Sequence, residues 1–100
     1  MTVNITKTVN ENELAIALEG RLDTATAPQL EAELNQAIGG VKKLVFDFAG
    51  LEYLSSAGLR VLLGAQKIMN KQGKMLVKNV NETIMEIFEI TGFFDVLTIE

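Results

Sequence analysis

Apolar and polar positions alternate along this chain with two different periods, and the switches between them mark out its elements. Val3 and Ile5, with Val9 further on, stand among polar residues in the two-residue repeat of a half-exposed strand. Asn10-Glu11-Asn12 is a turn signal, and Leu14, Ile16 and Leu18 then resume the alternation, predicting a second strand that hairpins back on the first. Gly20-Arg21-Leu22-Asp23 leads away from it. Thr26 followed three residues later by Gln29 fits a capping box, and Pro28 falls in the first helical turn, where its missing N–H costs nothing. Leu30, Leu34, Ala37 and Ile38 share one helical face, Glu31, Glu33, Asn35 and Gln36 the other, and Gly39-Gly40 ends the helix.

Lys43-Leu44-Val45-Phe46-Asp47-Phe48 is a compact apolar strand of the kind found in the middle of a sheet. Residues 49–56 read as a loop ending in Ser55-Ser56, two hydroxyls that can each cap a helix. Over residues 57–72 the period is again helical, with Leu59, Leu62, Leu63, Ala65, Ile68 and Met69 apolar and Gly73 placed to end it. Met75-Leu76-Val77-Lys78 predicts a short strand. Asn81 caps a third helix carrying Ile84, Ile87, Phe88 and Ile90, which Gly92 stops, and residues 95–99 predict a last strand. The order ββαβαβαβ implies an α/β layered domain. Its sheet is mostly parallel with right-handed crossovers, its first strand an antiparallel edge, and its helices packed on the sheet. One proline, no linker tract and no solenoid-length repeat predict a single domain over residues 1–100.

Composition narrows the function. The 100 residues are 48% hydrophobic and 22% charged, and 9 basic against 13 acidic residues leave a net charge of −4. That balance disfavours nucleic acid and anionic membranes, which require a basic footprint. The absence of cysteine and histidine removes disulfides, thiol chemistry, serine–histidine triads and ordinary zinc sites. No apolar run approaches the ~18 residues of a membrane span, and the N-terminus lacks a signal-peptide core, so a cytoplasmic protein is expected.

Few side chains remain as candidates for chemistry. Asp23, Asp47, Glu52 and Asp95 sit at strand ends or loops, but no base, nucleophile or metal-ligand spacing accompanies them, and solvated surface carboxylates are much the better reading. No phosphate-cradling glycine motif is present. Lys67, Lys71, Lys74 and Lys78 form a run that reads as a solvated face. Phe93-Phe94 either closes the core or presents one ring to a partner. Ser55-Ser56 differs from these. A helix N-terminus tolerates phosphate, because its free N–H groups and dipole favour an anion, although a plain N-cap is the simpler reading.

Taken together the motifs resemble a STAS domain of the stand-alone bacterial anti-sigma-factor antagonist type. The resemblance covers essentially all of the chain. It is carried by Glu19-Gly20-Arg21-Leu22-Asp23 with Thr26-Ala27-Pro28, by Leu44-Val45-Phe46-Asp47-Phe48 leading to Tyr53-Leu54-Ser55-Ser56-Ala57-Gly58-Leu59, by Gly73, and by Ile90-Thr91-Gly92-Phe93-Phe94. It implies a switch without catalysis, cofactor or metal. The unphosphorylated protein would bind an anti-sigma factor that is also a serine kinase with a histidine-kinase-like ATP fold, releasing a sigma factor. Phosphorylation of a serine at the start of the second helix would end that complex, and a PP2C-type phosphatase would reset it. A monomer is expected in the free state.

One departure bears on the switch. Well-characterised members carry Asp-Ser-Ser-Gly or Asp-Ser-Thr-Gly before the leucine, the second hydroxyl residue being the acceptor. Here Ser55 stands at the aspartate position and Ala57 at the acceptor position. Phosphorylation is therefore expected on Ser56, with Ser55 the alternative, and a STAS binding or scaffold module that is never phosphorylated is the competing reading. A small enzyme using Asp23 or Asp47 is a third, which the lack of partner groups disfavours. The expected docking surface is Asp23, Thr24, Thr26, Ser55, Ser56, Ala57 and Gly58.

Overall fold

The structure, a computed structural model, describes residues 3–100. Strands β1 (Val3–Asn10) and β2 (Glu13–Leu22) form an antiparallel hairpin, followed by α1 (Ala27–Ala37), β3 (Lys43–Leu54), α2 (Ser56–Gln72), β4 (Lys74–Lys78), α3 (Glu82–Thr91) and a 3-10 turn (Phe93–Asp95). The sheet order is β1-β2-β3-β4, with β2, β3 and β4 parallel. Each parallel pair is joined by a helix. The inward face of the sheet shares one hydrophobic cluster with all three helices: Leu14, Ile16, Leu44 and Phe46 meet Leu30, Leu34, Leu62, Met69, Ile84 and Phe88. A 19 Å short axis fits this arrangement of one sheet and one helical layer.

Three sequence expectations are corrected here. Residues 49–54 belong to β3, not to a loop. Ala17 pairs with Asp47 but Glu19 with Gly50, and Gly20 with Leu51 but Arg21 with Tyr53. Twice, therefore, β3 uses one residue more than β2, which is the signature of a bulge. The core-facing positions Leu44, Phe46, Phe48, Leu51 and Leu54 are spaced two, two, three and three apart, so strict alternation is lost where the strand continues. The predicted last strand over residues 95–99 is a 3-10 turn followed by a single parallel bridge, Val77 to Ile99. Lastly, the Thr26–Gln29 capping box does not form, because the Thr26 hydroxyl is engaged elsewhere.

The helices are tied down at their ends. Asn81 caps α3 by accepting from the Ile84 N–H at 2.9 Å, while its amide donates to the Leu51 carbonyl at 2.9 Å, joining α3 to the bulged end of β3. At the far end of α2, the Gln72 amide donates to the Ile38 and Val41 carbonyls, both at 2.7 Å. Phe48 stacks obliquely against Phe46 and Phe88, with centroids 5.9 and 6.4 Å away, and so carries the packing from the sheet into α3.

Candidate functional site at the carboxyl ends of β2 and β3

In parallel α/β sheets, sites gather beyond the carboxyl ends of strands, and the two loops singled out in the sequence meet there. The Ser55 N–H donates to the Leu22 carbonyl at 2.9 Å, drawing the start of α2 against the end of β2. Gly58 makes this approach possible. A Cβ on it would stand 2.7 Å from Leu54 Cδ1 and 2.9 Å from Leu22 Cδ2 and Cγ. Both leucines are fully buried, so the first turn of α2 is wedged on the core.

The loop after β2 is braced by reciprocal hydrogen bonds. One carboxylate oxygen of Asp23 accepts from the N–H groups of Ala25 (3.0 Å) and Thr26 (3.1 Å). The Thr26 hydroxyl donates to the Arg21 carbonyl (2.7 Å) and accepts from the Asp23 N–H (2.9 Å). Partial burial opposes ionisation of Asp23, but the Thr26 and Ala25 hydrogen bonds and the nearby Arg21 charge outweigh it, holding the carboxyl below its ordinary range. The Arg21 guanidinium lies 4.2 Å from the centroid of the Tyr53 ring, a cation–π contact across the β2–β3 ladder.

Exposure separates the predicted site residues. Thr24 and Ser56 are exposed, Asp23, Ser55 and Ala57 half-buried, and Thr26 and Gly58 buried. Thr26 and Gly58 therefore shape the surface from beneath. Both serines begin α2, but they are not equivalent. Ser55 is the N-cap residue by backbone conformation, yet its side chain makes no capping bond, contrary to the expectation that either serine caps. Its hydroxyl oxygen is buried and has no hydrogen-bond partner. Ser56 is the first helical residue and faces outward. Thr24 and Ala57 line a cavity of ≈ 210 Å³ with Ala27, Pro28, Glu31, Arg60 and Val61.

The other sequence candidates lie apart from this site. Asp47 accepts from the Asn79 side-chain amide and the Ala49 N–H, both at 2.9 Å, which with the Lys78 charge lowers its pKa against some desolvation. Glu52, Asp95 and the four lysines are exposed, and of those lysines Lys78 stands 3.9 Å from Glu100. No group of three metal-ligating side chains is found among the described residues. Phe93 packs on the core, while Phe94 is half exposed. Among the described residues no helix is long and apolar enough to cross a membrane. Arg60, which nothing in the sequence distinguishes from a solvated helix residue, is brought beside the site by the packing of α1 on α2.

Comparison with known proteins decides the family, because residues 4–100 match the STAS domain. The chain belongs to the STAS domain family. This STAS domain is 39% identical over 88 residues to BtrV of Bordetella bronchiseptica, covering 86% of the chain and 76% of that protein. It is 31% identical over 100 residues to the anti-sigma-B factor antagonist of Bacillus subtilis, covering 99% and 92%. In fold it is similar to an anti-sigma factor antagonist from Mycobacterium paratuberculosis (TM-score 0.87, 20% identity, 97% and 84% covered). It is also similar to the Bacillus cell fate determinant SpoIIAA in its phosphorylated form (TM-score 0.76, 23% identity, 97% and 91% covered). The fold expected from the sequence, a mixed sheet with one antiparallel edge and helices packed on it, is the fold of these relatives.

Proposed function

We propose that this STAS domain is an anti-sigma factor antagonist, a regulatory binding protein rather than an enzyme. In this reading it works in the cytoplasm as a free monomer of one domain, binds an anti-sigma factor that is also a serine kinase, and thereby frees a sigma factor. Phosphorylation of Ser56 ends the complex, and a PP2C-type phosphatase restores it. Near-full-length similarity to the Bacillus subtilis antagonist supports the role. The existence of SpoIIAA in a phosphorylated form supports the mode of control.

The observation that carries the choice of acceptor is the contrast between the two hydroxyls. A kinase needs an accessible nucleophile. Ser56 is exposed, whereas the Ser55 oxygen is sealed against the chain and Ala57 has none. A phosphate on Ser56 would add about −1.5 to −2 charges at a helix start, where N–H groups and the dipole accept them without melting the helix. The fold is then spared and the interface is not. Inserting such a charge into a desolvated contact costs several kcal/mol unless it is paired, and even ~2.7 kcal/mol lowers affinity about a hundredfold.

Tandem mass spectrometry after incubation with the anti-sigma factor kinase of the same bacterium and Mg-ATP tests this. Wild type, Ser55→Ala and Ser56→Ala run in parallel. Phosphate on Ser56 in the first two and none in the third is expected. Phosphate on Ser55 would keep the switch and move its site, while no phosphate from an active kinase would make the domain a constitutive binder. Ser56→Asp should weaken binding with little change in melting temperature.

A further inference from the structure

A glycine in the middle of a 17-residue helix has a cost. In an exposed helix interior, glycine is less favourable than alanine by about 1 kcal/mol. Gly64 occupies such a position in α2, and a Cβ placed on it would meet nothing within 4 Å. No contact among the described residues requires the methyl to be missing. Gly58 on the same helix is the opposite case, since its Cβ would collide with two core leucines.

The space beside Gly64 opens into a furrow between α1 and α2. Two cavities of ≈ 210 Å³ each lie along it, one at the Ser56 end and one reaching Ile38 and Ile68. Glu31, Arg60 and Val61 line both, so the two adjoin. Ile68 is 40% exposed. Arg60, exposed near the middle, is in no ion pair among the described residues, although Glu31 lines the same furrow. The furrow thus offers a guanidinium outside any ion pair among the described residues, set between apolar positions, and at one end it is lined by Ala57, the residue after Ser56. That chemistry fits a carboxylate flanked by apolar side chains, with one of them filling the notch at Gly64.

We propose that the furrow between α1 and α2 receives an acidic, apolar-flanked segment of the anti-sigma factor, anchored on Arg60. This rests on the antagonist reading above and deepens it. Ser56 and Arg60 are four residues apart on one helix, where side chains become neighbours with Cβ atoms about 5–6 Å apart. A phosphate on Ser56 therefore competes for Arg60 intramolecularly. It removes the anchor of the partner's carboxylate as well as repelling it.

The test is calorimetric titration of the full chain with the purified anti-sigma factor kinase of the same bacterium, without ATP. Arg60→Gln and Ile68→Glu should each weaken binding about tenfold or more, and Gly64→Leu should do the same by filling the notch. Melting curves of each variant establish that the fold is kept. Ser56→Asp should weaken binding less in the Arg60→Gln background than in the wild type, because the residue it captures is gone. Wild-type affinity in all three furrow variants, with Ser56→Asp still defective, would confine docking to the helix start and overturn the proposal. Absence of wild-type binding would instead overturn the antagonist reading, and the furrow assignment with it. A dimer in light scattering that Ile68→Glu abolishes would make the occupant a second copy of this chain, again overturning the proposal.

Discussion

Gly58→Ala and Gly64→Ala add the same methyl group to the same helix, and the structure predicts opposite signs for them. At Gly64 the methyl enters open space. The gain is that of replacing glycine in a helix interior, about 1 kcal/mol. At Gly58 the methyl would lie 2.7 Å from Leu54 Cδ1 and 2.9 Å from Leu22 Cδ2 and Cγ. Leu22 and Leu54 are 0% and 2% exposed, so neither can swing aside into water. One of the contacts is to a branch carbon, not to the flexible end of a side chain. Overpacking of this kind costs about 1–3 kcal/mol. Set against a helix gain of about 1 kcal/mol, the expected net effect is a loss of up to about 2 kcal/mol. For a domain of this size each kcal/mol moves Tm by about 4–8 °C. Thermal unfolding followed by circular dichroism should therefore show Gly58→Ala melting below wild type, by up to about 16 °C. Gly64→Ala should melt above it by about 4–8 °C. A Gly58→Ala protein raised above wild type as far as Gly64→Ala would refute the reasoning, since it would mean the turn is not wedged on the sheet.

Three further outcomes follow from the same geometry. Ser55→Ala should leave stability unchanged or raise it slightly in urea titrations, because the hydroxyl it removes is buried without a partner, a situation that costs about 1–3 kcal/mol. Asn81→Ala loses both the cap of α3 and the tie to Leu51, and should lower the unfolding free energy by about 1–2 kcal/mol in the same assay. Asp47 has a folded pKa below its unfolded value of about 3.9, so its contribution is present above that value and lost as pH falls through the folded one. Tm measured from neutral to strongly acidic pH should accordingly fall less steeply for Asp47→Asn than for wild type.

What the sequence disclosed, and what it withheld, follows from the range of the forces involved. Local periodicity located all three helices and the regular parts of the strands, because a buried face writes its spacing directly into the residues. Residues 49–54 escaped because two bulges break the alternation, and bulges are set by the partner strand, which Gly50 approaches so closely that a Cβ would lie 2.7 Å from Glu19 Cγ. Leu97 and Ile99 keep a strand-like repeat, yet they border a five-residue edge strand that offers one bridge. Thr26 has the residue type of a cap, but its hydroxyl is taken by Arg21 and Asp23. The two serines look alike in the sequence. Only the folding of Ser55 against Leu22 makes one hydroxyl buried and the other exposed. Arg60 was invisible for the same reason, since its significance comes from a neighbouring helix.

The double bulge of β3 also sets how far the chain tolerates changes in length. Between Phe48 and Leu54 the strand turns its side chains over twice, so that Leu51 and Leu54 both point inward and Ser55 meets Leu22. Losing one residue from this stretch would exchange inside and outside for everything beyond it, carrying Leu54 toward water and Ser56 away from the β2 loop. Losing two, one from each bulge, would restore the ladder and keep the parity. Insertions and deletions here should therefore survive only in pairs, and the segment acts as a ruler whose length fixes where the exposed serine emerges.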